Sequence, residues 1–339
     1  MLKGKKTVFV LGAGASCPYG YPSGARLREL VCHNSGFAKY YRNEVVKELP
    51  RNIQGFIQHF ERSHIKSIDL FMSRNPQLAP LGKDIVAFEI LRAERGSCFA
   101  EKAKEHQEYR EYCRSSDYQS KREHLLGTAD FIGGDWCSFV YNRVLEDQAG
   151  SDALPDFSGG QLAFVTFNYD RSLEQFFYES LRHSFTEAAE KDIVESLSHL
   201  KIWHVYGQIL PLRWQDAEGG VDYKPAKLDE SLMGKAAANI RTIYEQKENP
   251  ELNDAQQFLR CAEQIFFLGF GYSRENMNML GLPAVIPPQC QVYGTAYGLE
   301  EEERVRVCAS VHDPRKVDQK KTVIEAGNVD CLTLLRRHF

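Results

Sequence analysis

Six short stretches of the chain carry apolar residues with little polar interruption: Thr7–Leu11 ("TVFVL"), the start of "LAFVTFNYD" (162–170), "HLKIWHV" (199–205), "QIFFLGF" (264–270), "QVYGTA" (291–296) and "DCLTLL" (330–335). Runs of this kind predict strands buried on both faces, the condition of a parallel sheet covered by helices. Between them apolar positions fall at helical spacing over 171–182, 230–246, 251–262 and 275–281. Strands alternating with helices predict an α/β fold, a Rossmann-like doubly wound parallel sheet, in which ligands bind beyond the carboxyl ends of the strands.

The pattern changes between about Ala25 and Gly150. "IQGFIQHFERSH" and "KDIVAFEILRAE" are amphipathic at helical period, and "EKAKEHQEYREYCRSSDYQSKREH" (101–124) is polar enough to be an exposed helix or a mobile loop. Pro155 and "FSGGQ" mark a loop before strand composition returns. The expected organisation is one domain over 1–339, with 25–150 as a helical insertion packed over the sheet and 151–339 as the remainder of the core.

At 339 residues, with 43% hydrophobic and 26% charged, the chain can bury a large core. Its formal net charge of −4 argues against a protein built to neutralise nucleic-acid phosphates, so no nucleic-acid partner is expected. No run of about 18 apolar residues occurs and "MLKGKKTVFV" lacks a signal-peptide pattern, which predicts a cytoplasmic protein without a membrane segment. The nine cysteines include no C-x-x-C pair and fit reduced thiols better than a zinc knuckle or a disulfide scaffold. "EEEER" (300–304) reads as an exposed helix start.

Chemistry-bearing residues gather where the expected strands end. In "GAGAS" (12–16), Gly12 and Gly14 let the backbone turn without a Cβ in the way and Ser16 offers a hydroxyl; the turn either cradles a phosphate or redirects the chain. It is not the dehydrogenase fingerprint, since no third glycine falls three residues after Gly14 and no acidic residue closes a second strand about 20 residues on. Asn168 in "TFNYD" is either a turn-former, with Asp170 capping the next helix, or an amide that bonds a ribose hydroxyl or a water. His204 in "KIWHVYGQI" is either a structural histidine or, with an ordinary pKa near 6.5, a base at neutral pH. "FLGFGYSREN" (267–276) repeats the opening logic through Gly269, Gly271 and Ser273, and "YGTAYG" (293–298) repeats it more weakly through Gly294. Each fits the phosphate or ribose of a nucleotide, or a plain strand-to-helix turn.

Taken in order, "GAGAS", the glycine and proline loop after it, "TFNYD", the histidine of "WHVYG" and "LGFGYS" resemble the sirtuin-like NAD-binding family, most closely its bacterial antiphage-defence branch, from Val8 to about Gly298. The resemblance implies that Gly12, Ala13, Gly14 and Ser16 bind NAD phosphates and that Asn168, followed by Asp170, and His204 are catalytic. "PSGARL" (22–27) stands where the family has its cofactor loop "PDFR", which puts Pro22 and Ser23 at the cofactor and gives Arg26 no matched role. Val205 and Tyr206 separate His204 from Gly207, where the family has glycine directly after the histidine. "SIDLFM" (67–72) is similar to a motif of the defence branch, in which Asp69 either caps a helix or lines the site. The family's deacylases carry a four-cysteine zinc module between the histidine and the later glycine turn. Residues 205–263 hold Cys261 alone, so no zinc is expected and deacylation is disfavoured.

The expected activity is NAD hydrolysis to nicotinamide and ADP-ribose, with NAD as substrate. Nicotinamide leaves as a neutral molecule from a cationic ring, so no general acid is needed and the transition state is oxocarbenium-like. Asn168 would orient the ribose or the water, and His204 would take a proton from water or a ribose hydroxyl. The alternatives are a sensor that binds NAD or ADP-ribose, and a protein deacylase or ADP-ribosyltransferase. The resemblance further implies a homo-oligomer, a separately encoded HerA-type hexameric ATPase as a partner contacting 25–150, and an NAD-depleting role in antiviral defence.

Overall fold

The computed structural model of the chain describes residues 4–33, 37, 51–97, 134–148, 153–246, 249–312, 321–325, 327 and 329–339. The polar stretch 101–124 lies outside the described residues.

Six strands, β1 (Thr7–Leu11), β2 (Leu162–Thr166), β3 (Lys201–His204), β4 (Gln264–Leu268), β5 (Gln291–Gly294) and β6 (Thr322–Ile324), form one parallel sheet in the order β3-β2-β1-β4-β5-β6. This is the Rossmann-like α/β sheet that the alternation of strand and helix patterns predicts. β1, β2 and β4 are buried along their whole length, which is why their sequences are continuous apolar runs rather than alternating ones. Register aligns one aromatic on each of four neighbouring strands: Phe9 stacks on Phe164 and on Phe266, each at 5.3 Å, and Phe266 stacks on Tyr293 at 5.1 Å. Each such pair adds about 0.5–1.5 kcal/mol to the burial of its rings.

The expectation fails at the last strand. "DCLTLL" opens a helix, Cys331–His338, and the sixth strand is the three-residue Thr322–Ile324. The Asp330 side chain caps that helix by accepting from Thr333 N, Cys331, Leu334 and Leu335 bury one face at helical spacing, and Arg336, Arg337 and His338 fill the last turn, where the helix dipole favours cations. A helix Glu190–Ser198, passed over in the sequence pattern, precedes β3, and the helix expected over 230–246 ends at Asn239.

The chain divides into two compact units. The first, Met1–Ala15, Gly133–Gln208 and Ile243–Phe339, holds the whole sheet. The second, Ser16–Ile132 and Ile209–Thr242, is mainly helical in its described part, with Ala79–Arg95 packed against Glu230–Asn239 and an aromatic cluster of Phe56, Phe60 and Phe71. The stretch 25–150 thus falls mostly in the second unit, with the helix Trp136–Asp147 in the first. Among the described residues no helix is long and apolar enough to cross a membrane.

Candidate functional site

Asn168 lies two residues beyond β2, and His204 is the last residue of β3. Register sets Thr166 beside both Leu11 and His204, so the carboxyl ends of β1, β2 and β3 come together. There Asn168 is bonded on three sides: its amide N–H donates to Thr166 Oγ1 at 3.1 Å, its side-chain Nδ2 to the Gly12 carbonyl at 3.0 Å, and its own carbonyl accepts from His204 Nδ1 at 2.9 Å. The other ring nitrogen, His204 Nε2, lies 2.6 Å from Glu174 Oε1. Glu174 belongs to the first turn of the helix Ser172–Ser184, which springs from the segment after β2.

The surroundings are buried and charged. Asn168, Asp170, Arg171, Glu174 and His204 are all buried. Asp170 accepts from Ser172 N at 3.2 Å and from the Ser172 hydroxyl; it stands one residue before the cap position, which Arg171 occupies without a side-chain cap bond, so Asp170 is not the N-cap the sequence suggests. Burial pulls the His204 imidazole down, but the Glu174 carboxylate, its hydrogen bond, the Asn168 carbonyl and Asp170 together outweigh it and hold the ring above the ordinary histidine value. A carbonyl only accepts, so His204 Nδ1 carries a proton, and both ring nitrogens are engaged inside the protein. Glu174 is the residue that sequence reasoning missed. Its available signal was that an acid in the first turn of a helix leaving a strand end opens onto the same edge of the sheet as the strand ends themselves.

The glycine turns after β1 and β4 are packed backbone to backbone. Gly12 N donates to the Leu268 carbonyl at 3.0 Å and Gly14 N to the Gly269 carbonyl at 3.1 Å. A Cβ on Gly12 would sit 2.5 Å from the Gly269 oxygen and 2.7 Å from Phe270 Cα, and Gly269 itself has φ +56°, with no space for a Cβ beside Gly14 and Ala15. These three glycines therefore make the joint between the turns. Gly271 differs, since a Cβ there would meet nothing within 4 Å. No family model matches the chain, and no curated protein matches it.

The remaining expected positions divide by unit. In the first, the Ser273 hydroxyl caps the helix Arg274–Leu280 by accepting from Asn276 N at 3.2 Å, and Asn276 Oδ1 accepts from Tyr206 Oη at 2.7 Å. Gly294 leaves room for the Tyr272 hydroxyl, which donates to the Thr295 carbonyl at 3.0 Å. Ala13 opens the single-turn helix Ala13–Ser16. In the second unit, Ser16 is buried, Pro22 precedes the cap residue Ser23, and the Ser23 hydroxyl accepts from Arg26 N at 3.1 Å to start the helix Gly24–Cys32. Arg26 pairs with Glu29 at 2.6 Å. Ser67, not Asp69, is the cap of the helix Ile68–Arg74, and Asp69 accepts from the Ser67 hydroxyl at 3.3 Å. Among the described residues no three His, Cys, Asp or Glu side chains are grouped as a metal ion requires.

Proposed function

We propose that the chain is a sirtuin-like NAD hydrolase that cleaves the bond between nicotinamide and ribose. Beside the resemblance of its motifs, one observation supports this reading: a single bonded line runs from the Gly12 carbonyl through Asn168 to His204 across three adjacent strand ends. The strand order reverses between β1 and β4, the point at which doubly wound sheets take nucleotides, and both of those strands end in glycine turns. A Cβ on Gly271 would meet nothing within 4 Å, and this reading assigns that open space to a phosphate or ribose. The reaction asks little of a general acid, because nicotinamide departs neutral. It asks for polar groups fixed in advance around a ribose that becomes cationic. In this reading Asn168 meets the ribose or the attacking water, and His204 holds Asn168 in place.

The engagement of both His204 nitrogens favours a second reading, a module that binds NAD or ADP-ribose without cleaving it. The two separate when purified protein is incubated with NAD, alone and with a HerA-type ATPase, and nicotinamide and ADP-ribose are followed. Hydrolysis predicts release that Asn168→Ala lowers by about 100-fold, the effect of removing one preorganised polar group from an active site. Tight NAD binding without release in either setting selects the sensor, and neither binding nor release ends the NAD reading. The proposal includes the homo-oligomer and the NAD-depleting antiviral role that the resemblance implies.

A further inference from the structure

We infer that Glu174 is a positioning residue of the candidate site, acting through the His204 ring on the peptide of Asn168. The carboxylate, the ring and the peptide carbonyl form one hydrogen-bonded line, 2.6 Å at the Glu174 end and 2.9 Å at the Asn168 end, joining the helix Ser172–Ser184, β3 and the segment after β2. Glu174 is only 3% exposed, and its second oxygen, Oε2, is buried with no hydrogen-bond partner among the described residues, so the bond of Oε1 to His204 is the contact that offsets its burial.

The two ends of the line dictate the state of the ring. The carbonyl forces a proton onto Nδ1, and the carboxylate is best met by a second proton on Nε2. Doubly protonated, the ring makes a charge-assisted bond in both directions. Among the described residues, the charged groups that raise its pKa are Glu174 and Asp170, both negative and both from the segment that follows β2, which also carries the buried Arg171. Paired with Glu174, the imidazolium adds no net charge beside a ribose that becomes cationic, while it fixes the peptide whose side chain is already tied to Gly12. The behaviour of the ring stands on this geometry, and its effect on turnover rests on the proposed NAD cleavage.

The test follows the ring nitrogens of His204 by NMR in the full-length labelled protein, assigned by their loss in His204→Gln. Both are expected to keep their protons above the pH at which an ordinary histidine becomes neutral. In Glu174→Gln the Nε2 proton should leave at or below about pH 6.5 and the Asn168 carbonyl resonance should shift with it. A neutral ring in the wild-type protein at neutral pH, or an Asn168 carbonyl indifferent to Glu174→Gln, overturns the inference; the wild-type titration decides the matter should the variant fail to fold. Nicotinamide release is measured alongside. Wild-type release should stay level as the pH rises through the ordinary histidine value, while Glu174→Gln should lose about 10- to 100-fold above it and recover as the pH falls. Identical pH profiles for the two proteins overturn the positioning role. A ring that behaves as expected in a protein that releases no nicotinamide defeats the hydrolase reading alone.

Discussion

Deleting His204 removes a ring and also strands a charge. With His204→Ala the Glu174 carboxylate is left buried without the group that compensates it, an event that costs about 3–5 kcal/mol in comparable pairs. The expected result is a large drop in the urea midpoint, partly restored when Glu174→Ala is added, because the orphaned charge then goes too. His204 is held above its ordinary value in the folded state, so the stability it contributes is full below about pH 6.5 and is lost as the pH rises through the folded value. The wild-type midpoint should therefore decline above that pH, and in Glu174→Gln the decline should be absent. Asn168 and His204 were legible in the sequence because each stands at the end of an apolar run. Glu174 was not, because its partner is 30 residues away at the end of β3 and nothing in helical periodicity distinguishes it from a solvated first-turn acid.

At the scale of elements, the glycine turns give two substitutions with opposite outcomes. Gly269→Ala places a methyl group against the backbone of Gly14 and Ala15 at a positive φ, and it should destabilise the protein by several kcal/mol, or about 3 at least, by the combined effect of overlap and strain. Gly271→Ala meets open space, so its unfolding midpoint should stay within about 0.5 kcal/mol of wild type. A loss of NAD binding in that stable variant would mark the space as one a ligand uses. Strands β1, β2 and β4 were legible because strands buried along their whole length leave apolar runs, and the partly buried β3 and β5 were legible from their place in the alternation of strand and helix patterns. β6 was not, being three residues long, and "DCLTLL" misled because five apolar or neutral positions look alike at periods of 2 and 3.6. The cap at Asp330 and the basic final turn were the signals that favoured the helix.

For the whole molecule, the strand order is the feature from which most else follows. It brings the ends of β1, β2 and β3 into one bonded set and lays Phe164, Phe9, Phe266 and Tyr293 side by side. The class of fold was readable from alternation alone, since helices between parallel strands leave few other arrangements. The division into two units was not, because the second is assembled from two separated segments, Ser16–Ile132 and Ile209–Thr242, and contacts between distant segments leave no period in the sequence.

The same order sets a timetable. β1 lies between β2 and β4, pairing Thr7 with Leu162 on one side and with Gln264 on the other, and Lys6 bonds to Glu263 across a separation of 257 residues. At roughly 5–20 residues per second, a ribosome needs on the order of tens of seconds to supply that second neighbour, and until then a strand that is buried along its whole length in the finished sheet has an open edge. Nascent chains stalled before residue 264 should therefore be cut readily by protease within β1 and should engage chaperones, while chains stalled beyond the sheet should not. Protection of β1 in the shorter chains would show that the centre of the sheet has another way to wait.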